Sequence, residues 1–261
     1  MERAGSKRGA AAHVTPARLA QLLGGPVAVA VASWIYLAVM IDDMSAIPGM
    51  SAMMMSPQVF TPMQVIGLFL MWAVMMAAMM LPTAAPMIVA YARMQGADRA
   101  NGAGWLPVLA FSGGYVLAWA GFSLVAAGLQ AGLTNLAFMS PMMMKATAPL
   151  GGAILVVAGL YQVSPMKHAC LRQCRTPISF LMTQWRGGRL GALAMGWRHG
   201  LFCVGCCWAL MGLLFVVGVM NTAWIIAITV YVWVEKIIPG SETLSKLVGA
   251  AMVGLGFWIS F

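Results

Sequence analysis

Charge is what this sequence has least of. Lysine and arginine number 15 and aspartate and glutamate 6 in 261 residues, so 8% of the chain is charged against 62% hydrophobic. The mean hydropathy is +0.88. A water-soluble domain of this size has no need of such a composition. With so few carboxylates, no series of acidic side chains runs through the apolar segments to relay protons. The sequence also lacks a P-loop, a phosphorylation-site aspartate motif and a dinucleotide fingerprint, which excludes an ATP-driven pump unless another subunit supplies the energy. No Ser/His/Asp arrangement is present, and nothing marks the chain as an enzyme. Cysteine is scarce, and all five copies fall in the C-terminal half. No internal repeat divides the chain.

What is there is a set of continuous apolar runs. About 20 helical residues cross roughly 30 Å of hydrocarbon, and backbone groups in lipid must be bonded internally. The runs do not alternate, so they read as helices rather than barrel strands. The expected fold class is all-α: a polytopic transmembrane helical bundle of about seven spans. These lie near 22–41, 63–92, 105–129, 146–163, 199–219, 222–238 and 244–261. The sixth is short, and six spans is the alternative. Pro82 and Pro86 fall inside the second run, where a bend or break is expected.

Residues 1–21 form a basic cytoplasmic tail, and 22–261 form one transmembrane domain. The tail followed by Leu22 to Ala38 also has the outline of a signal peptide, but Ile41-Asp42-Asp43-Met44 is a poor cleavage site. An uncleaved first span is therefore expected. With the N-terminus inside, fourteen of the fifteen basic residues lie in cytoplasmic segments and only Lys145 lies opposite. That asymmetry points to an inner-membrane protein with its N-terminus inside and its C-terminus outside. The net charge of +9 then reads as topology and affinity for anionic lipids, with no role for nucleic acid. Glu235 and Lys236 end the sixth span, where they pair with a neighbour or snorkel to the interface.

Methionine is abundant, at 25 residues, and it is clustered. Runs at Met53–Met55 and Met142–Met144 fall in two loops, 42–62 and 130–145, that the charge bias assigns to the periplasm. A thioether is a soft donor that selects copper(I) over hard cations; it is also a flexible space-filler. On the second span, Met71, Met75 and Met79 recur at i, i+4 and i+8, with Met76 and Met80 beside them. A helix lays these out as a ladder of about 12 Å. Such a ladder suits inward passage of copper(I) by ligand exchange. It equally suits packing, with Ala77 and Ala78 allowing close helix approach.

The cysteines form two groups. Cys170 and Cys174 lie one helical turn apart, with His168 close by, in a basic cytoplasmic loop at 164–198. A structural disulfide is not expected in a reducing compartment, which leaves metal binding, thiol redox chemistry or an inert role. Cys203, Cys206 and Cys207 open the fifth span, with His199 one turn earlier. Helical spacing gathers these three sulfurs and the imidazole on one side of two turns. The set suits copper(I), and zinc would accept it too. The plain alternative is that buried cysteines act as small hydrophobes.

Three stretches taken together carry a resemblance. They are Met71-Trp72-Ala73-Val74-Met75-Met76-Ala77-Ala78-Met79-Met80-Leu81-Pro82, Lys167-His168-Ala169-Cys170-Leu171-Arg172-Gln173-Cys174, and Gly196-Trp197-Arg198-His199-Gly200 leading into Cys203 to Trp208. In these the chain resembles a bacterial family of predicted metal-binding integral membrane proteins, a domain-of-unknown-function family. The resemblance runs from the second span to the last and implies metal binding. The copper preference comes from the sulfur donors themselves. The leading expectation is a copper-binding inner-membrane protein that handles, transports or delivers copper(I). Its partners would be lipids, the metal ion, other membrane subunits or a copper enzyme. A membrane thiol oxidoreductase and a structural subunit whose methionines only pack are the alternatives.

Overall fold

The computed structural model describes residues 16–46, 62–97, 105–140, 145–238 and 240–260. The Met53–Met55 and Met142–Met144 runs lie outside them.

The described chain is helical apart from a two-residue antiparallel ladder, β1 (Met139–Ser140) with β2 (Lys145–Ala146). Its helices are α1 (Pro16–Ala46), α2 (Pro62–Ala97), α3 (Trp105–Asn135), α4 (Ala148–Gln162), α5 (Pro165–Arg175), α6 (Pro177–Gln184), α7 (Gly188–Gly212), α8 (Leu214–Val217), α9 (Thr222–Ile237) and α10 (Glu242–Ser260). Among the described residues, five helical stretches are long and apolar enough to cross a bilayer: α1, α2, α3, α7 with α8, and α10. The pair α4–α5, bent by 63°, makes a sixth if it counts as one. With only 16 residues, α9 falls short of that length.

Of the bend or break expected at Pro82 and Pro86, the break does not occur: α2 runs through both. The carbonyl of Met80, on the turn around Pro82, accepts hydrogen bonds from Thr83 Oγ1 at 2.9 Å and the Tyr115 hydroxyl at 3.0 Å. The stretch 164–198, expected as a connection between spans, is itself folded into α5, α6 and the first turns of α7. Ser164 caps α5 by accepting from the Lys167 amide, and Pro165 and Pro177 occupy first-turn positions where a missing N–H costs nothing. Gly187, Gly188, Gly191 and Gly196 lower the helix propensity over 186–198, which hides the start of α7.

The core is built on α7 and α2. Buried residues make up 61% of the apolar window in α7–α8 and 50% of that in α2, against 22% in α1 and 17% in α10. The centre of the fold is thus sulfur-rich, and its periphery is aliphatic and aromatic. Tight packing sets α7 against α3. A Cβ added at Gly114 would fall on the backbone of Leu193 and Trp197, and one added at Gly196 on the backbone of Phe111. Only glycine at both positions permits this approach. About two turns along α7 from Gly196, Cys203 meets Tyr115 of α3. A second pair of small residues, Gly159 and Gly249, brings α4 and α10 into similar contact. Trp72, fully buried, ties α2 to α3 by donating to Gln130 Oε1 at 2.6 Å.

Candidate metal centre

Three sulfurs converge where α5 meets α7. The Sγ atoms of Cys174, Cys203 and Cys206 all lie within 4.8 Å of one another, and all three residues are buried. The i, i+3 spacing on α7 supplies two of them. The third arrives on α5, a separate short helix that the 63° bend turns across α7. All five cysteines are free thiols.

The trio sorts the sequence-derived residues. Cys203, Cys206 and Cys174 come together as neighbours. Cys207 stays outside the trio, its Sγ donating to the Cys203 carbonyl at 2.8 Å; Cys206 donates to the same carbonyl at 3.1 Å. Cys170 is half-buried and packs against α7 at Gly205, where an added Cβ would lie 2.8 Å from its Sγ. His168 is half-buried and not part of the cluster. His199 is buried among the rings of Phe111, Tyr115 and Phe180, with centroids 6.2, 5.6 and 5.5 Å away. Its Nδ1 has no hydrogen-bond partner, which is rare for a buried polar atom. It lines a cavity of about 290 Å³ together with Cys174 and Lys236.

Met71, Met75 and Met79 are buried in α2, as are Met76 and Met80. The row ends beside the cysteines. Thr83 Oγ1 lies 3.9 Å from the Met80 sulfur and receives a 2.7 Å hydrogen bond from Lys236 Nζ. That ammonium in turn sits 3.0 Å from Cys203 Sγ. The Tyr115 hydroxyl, already bonded to the Met80 carbonyl, lies 3.0 Å from the same sulfur.

Sequence reasoning passed over Tyr115, Thr83 and the part Lys236 plays. Lys236 carried the one available signal, a cation in an otherwise apolar helix. Its neighbour Glu235 anchors a second buried cluster. Its carboxylate pairs with Lys167 Nζ at 2.6 and 2.8 Å and accepts from Tyr231 at 2.7 Å and Ser245 at 2.6 Å. Gln162 bonds both Lys167 and Tyr231. Arg175 donates to the Glu235 carbonyl at 2.6 and 2.9 Å and also reaches Ser241. These bonds hold both ends of α5 against α9, and so hold Cys174 at the trio.

A cluster of soft donors in a closed, apolar setting is chemistry for a soft cation. The model of a family described as a copper chaperone, PpoB2, matches residues 69–259. The chain belongs to this copper chaperone family. The match covers α2 from its methionine row onward, α5 with Cys174, and α7 with Cys203 and Cys206, so the whole sulfur centre lies within it. It agrees with the metal chemistry that the sequence motifs imply. No curated protein and no solved structure matches the chain.

Proposed function

We propose that this protein is a membrane-embedded copper(I) chaperone of the bacterial inner membrane, with Cys174, Cys203 and Cys206 as its cargo site. The observation that carries the reading is the convergence of three buried thiols from two helices to within 4.8 Å. Trigonal sulfur suits a soft monovalent ion, and burial shields it from water and oxidants. The copper chaperone family supports the identity of the cargo.

Membrane insertion is supported by an outer surface that water would not tolerate. Leu190, Trp258 and Met63 are 82%, 84% and 74% exposed, on a chain with five helices of bilayer length. The basic residues orient the N-terminus inward. Copper(I) enters along the α2 methionines, exchanging weak thioether ligands, and is captured by the thiols beside Met80. From there it is delivered to a copper enzyme or a neighbouring membrane subunit. His199, with an unpartnered nitrogen at the same cavity, stands ready as an additional donor.

Burial of the trio favours this reading over a thiol oxidoreductase, whose reactive sulfur must be reached by a partner disulfide. The test is copper(I) titration of the detergent-purified protein against a chromophoric chelator. One copper per chain, lost in the Cys203→Ala variant, is the expected result. A protein that takes up no copper(I), or that binds it as well without Cys203, refutes the proposal.

A further inference from the structure

Lys236 is the odd member of the sulfur centre. It is buried, 8% exposed, and among the described residues no carboxylate lies within ion-pair distance of it; the ion pair beside it joins Lys167 to Glu235. Its described polar contacts are the Thr83 hydroxyl and Cys203 Sγ. A buried charge without a counter-charge is costly, and it persists where it has a task. An unbranched apolar side chain would fill the same space at no such cost, so the charge itself calls for an explanation.

The geometry points to Lys236 as the residue that makes the cysteine site select monovalent over divalent soft cations. This rests on the copper reading above and extends it to specificity. A metal ion at a normal bond length of about 2.3 Å from Cys203 Sγ, with the ammonium 3.0 Å from that sulfur, lies within about 5 Å of the ammonium. There it meets a fixed positive charge through a medium of low dielectric. Copper(I) and zinc(II) have the same d¹⁰ electron count and both accept thiolates. They differ by one unit of charge, so the ammonium repels zinc(II) twice as strongly.

The experiment compares metal competition in the full-length detergent-solubilised protein and in Lys236→Met, using copper(I) against zinc(II) and the second isoelectronic pair, silver(I) against cadmium(II). Removing the ammonium is expected to shift both preference ratios toward the divalent ion by about tenfold or more. Lys236→Arg, which keeps the charge, is expected to retain the wild-type ratios. Equal loss of affinity for all four ions in Lys236→Met, unchanged ratios, or a folded Lys236→Arg that loses the preference would each overturn the charge assignment. If Lys236→Met does not fold, Lys236→Gln carries the same prediction. If neither folds, the wild type decides: a silver(I)-over-cadmium(II) preference no greater than that of an unstructured thiol competitor overturns the proposal. Wild-type protein that binds no copper(I) at all refutes the chaperone reading instead, so the two failures are distinct.

Discussion

Glu235 and Lys236 are consecutive residues, yet they belong to two opposite kinds of buried site. On the Glu235 side the partners are nitrogen and oxygen: Lys167, Gln162, Tyr231 and Ser245 surround the carboxylate. On the Lys236 side the partners include sulfur, three thiols crowd together, and one imidazole nitrogen has no partner. A satisfied network specifies one arrangement and holds it. An unsatisfied one invites a ligand. On the proposed reading the contrast separates structure from function: the hard network positions α5, and the soft cluster includes the sulfur that α5 delivers.

The sharpest way to break this division is to attack the hard side. Lys167→Met leaves the Glu235 carboxylate buried without its cation, and the expected cost is about 3–5 kcal/mol of stability. Thermal unfolding in detergent measures it. A shift below about 1 kcal/mol would mean the network is not what fixes α5. The soft side should respond in the opposite way. Cys203→Ala is expected to weaken copper(I) binding at least about a hundredfold, equivalent to about 2.8 kcal/mol, with a smaller loss of stability than Lys167→Met. A large drop in melting temperature would return Cys203 to the role of core filler.

Smaller effects refine the boundary. Gly196→Ala places a methyl against the Phe111 backbone and is expected to cost about 1–3 kcal/mol, read as a lower unfolding midpoint. It should also loosen the alignment of Tyr115 with Cys203. Met79→Leu should change stability by less than about 1.5 kcal/mol and leave the copper stoichiometry intact. Its effect belongs in the kinetics, as slower loading in stopped-flow measurements. Loading at the wild-type rate would reduce the methionine row to packing.

The apolar helices were readable because bilayer-length hydropathy is a local property, and so was the pairing of Cys203 with Cys206, which sits within one turn. What the sequence withheld is tertiary. Cys170 and Cys174 look equivalent along the chain, but only Cys174 meets the α7 sulfurs. The choice is made by Lys167 and Arg175 gripping Glu235 from some 60 residues away. Likewise Cys207, which satisfies the helical spacing with Cys203, remains outside the trio, as does His168. The start of α7 was hidden because its first turns are stabilised by contact with α3 rather than by helix propensity, and no periodicity reports such a contact. Tyr115 and Thr83 carried no signal of their own; ordinary residues acquire a part only through the neighbours the fold assigns to them.

The elbow between α4 and α5 has a consequence for how the three sulfurs are held. Two of the three sulfurs are rungs of one continuous helix and move together, whereas the third rides on an eleven-residue arm beyond the bend. Moving that arm would first have to break the Lys167 and Arg175 bonds to Glu235, so the network that places the third sulfur also sets how firmly it stays there.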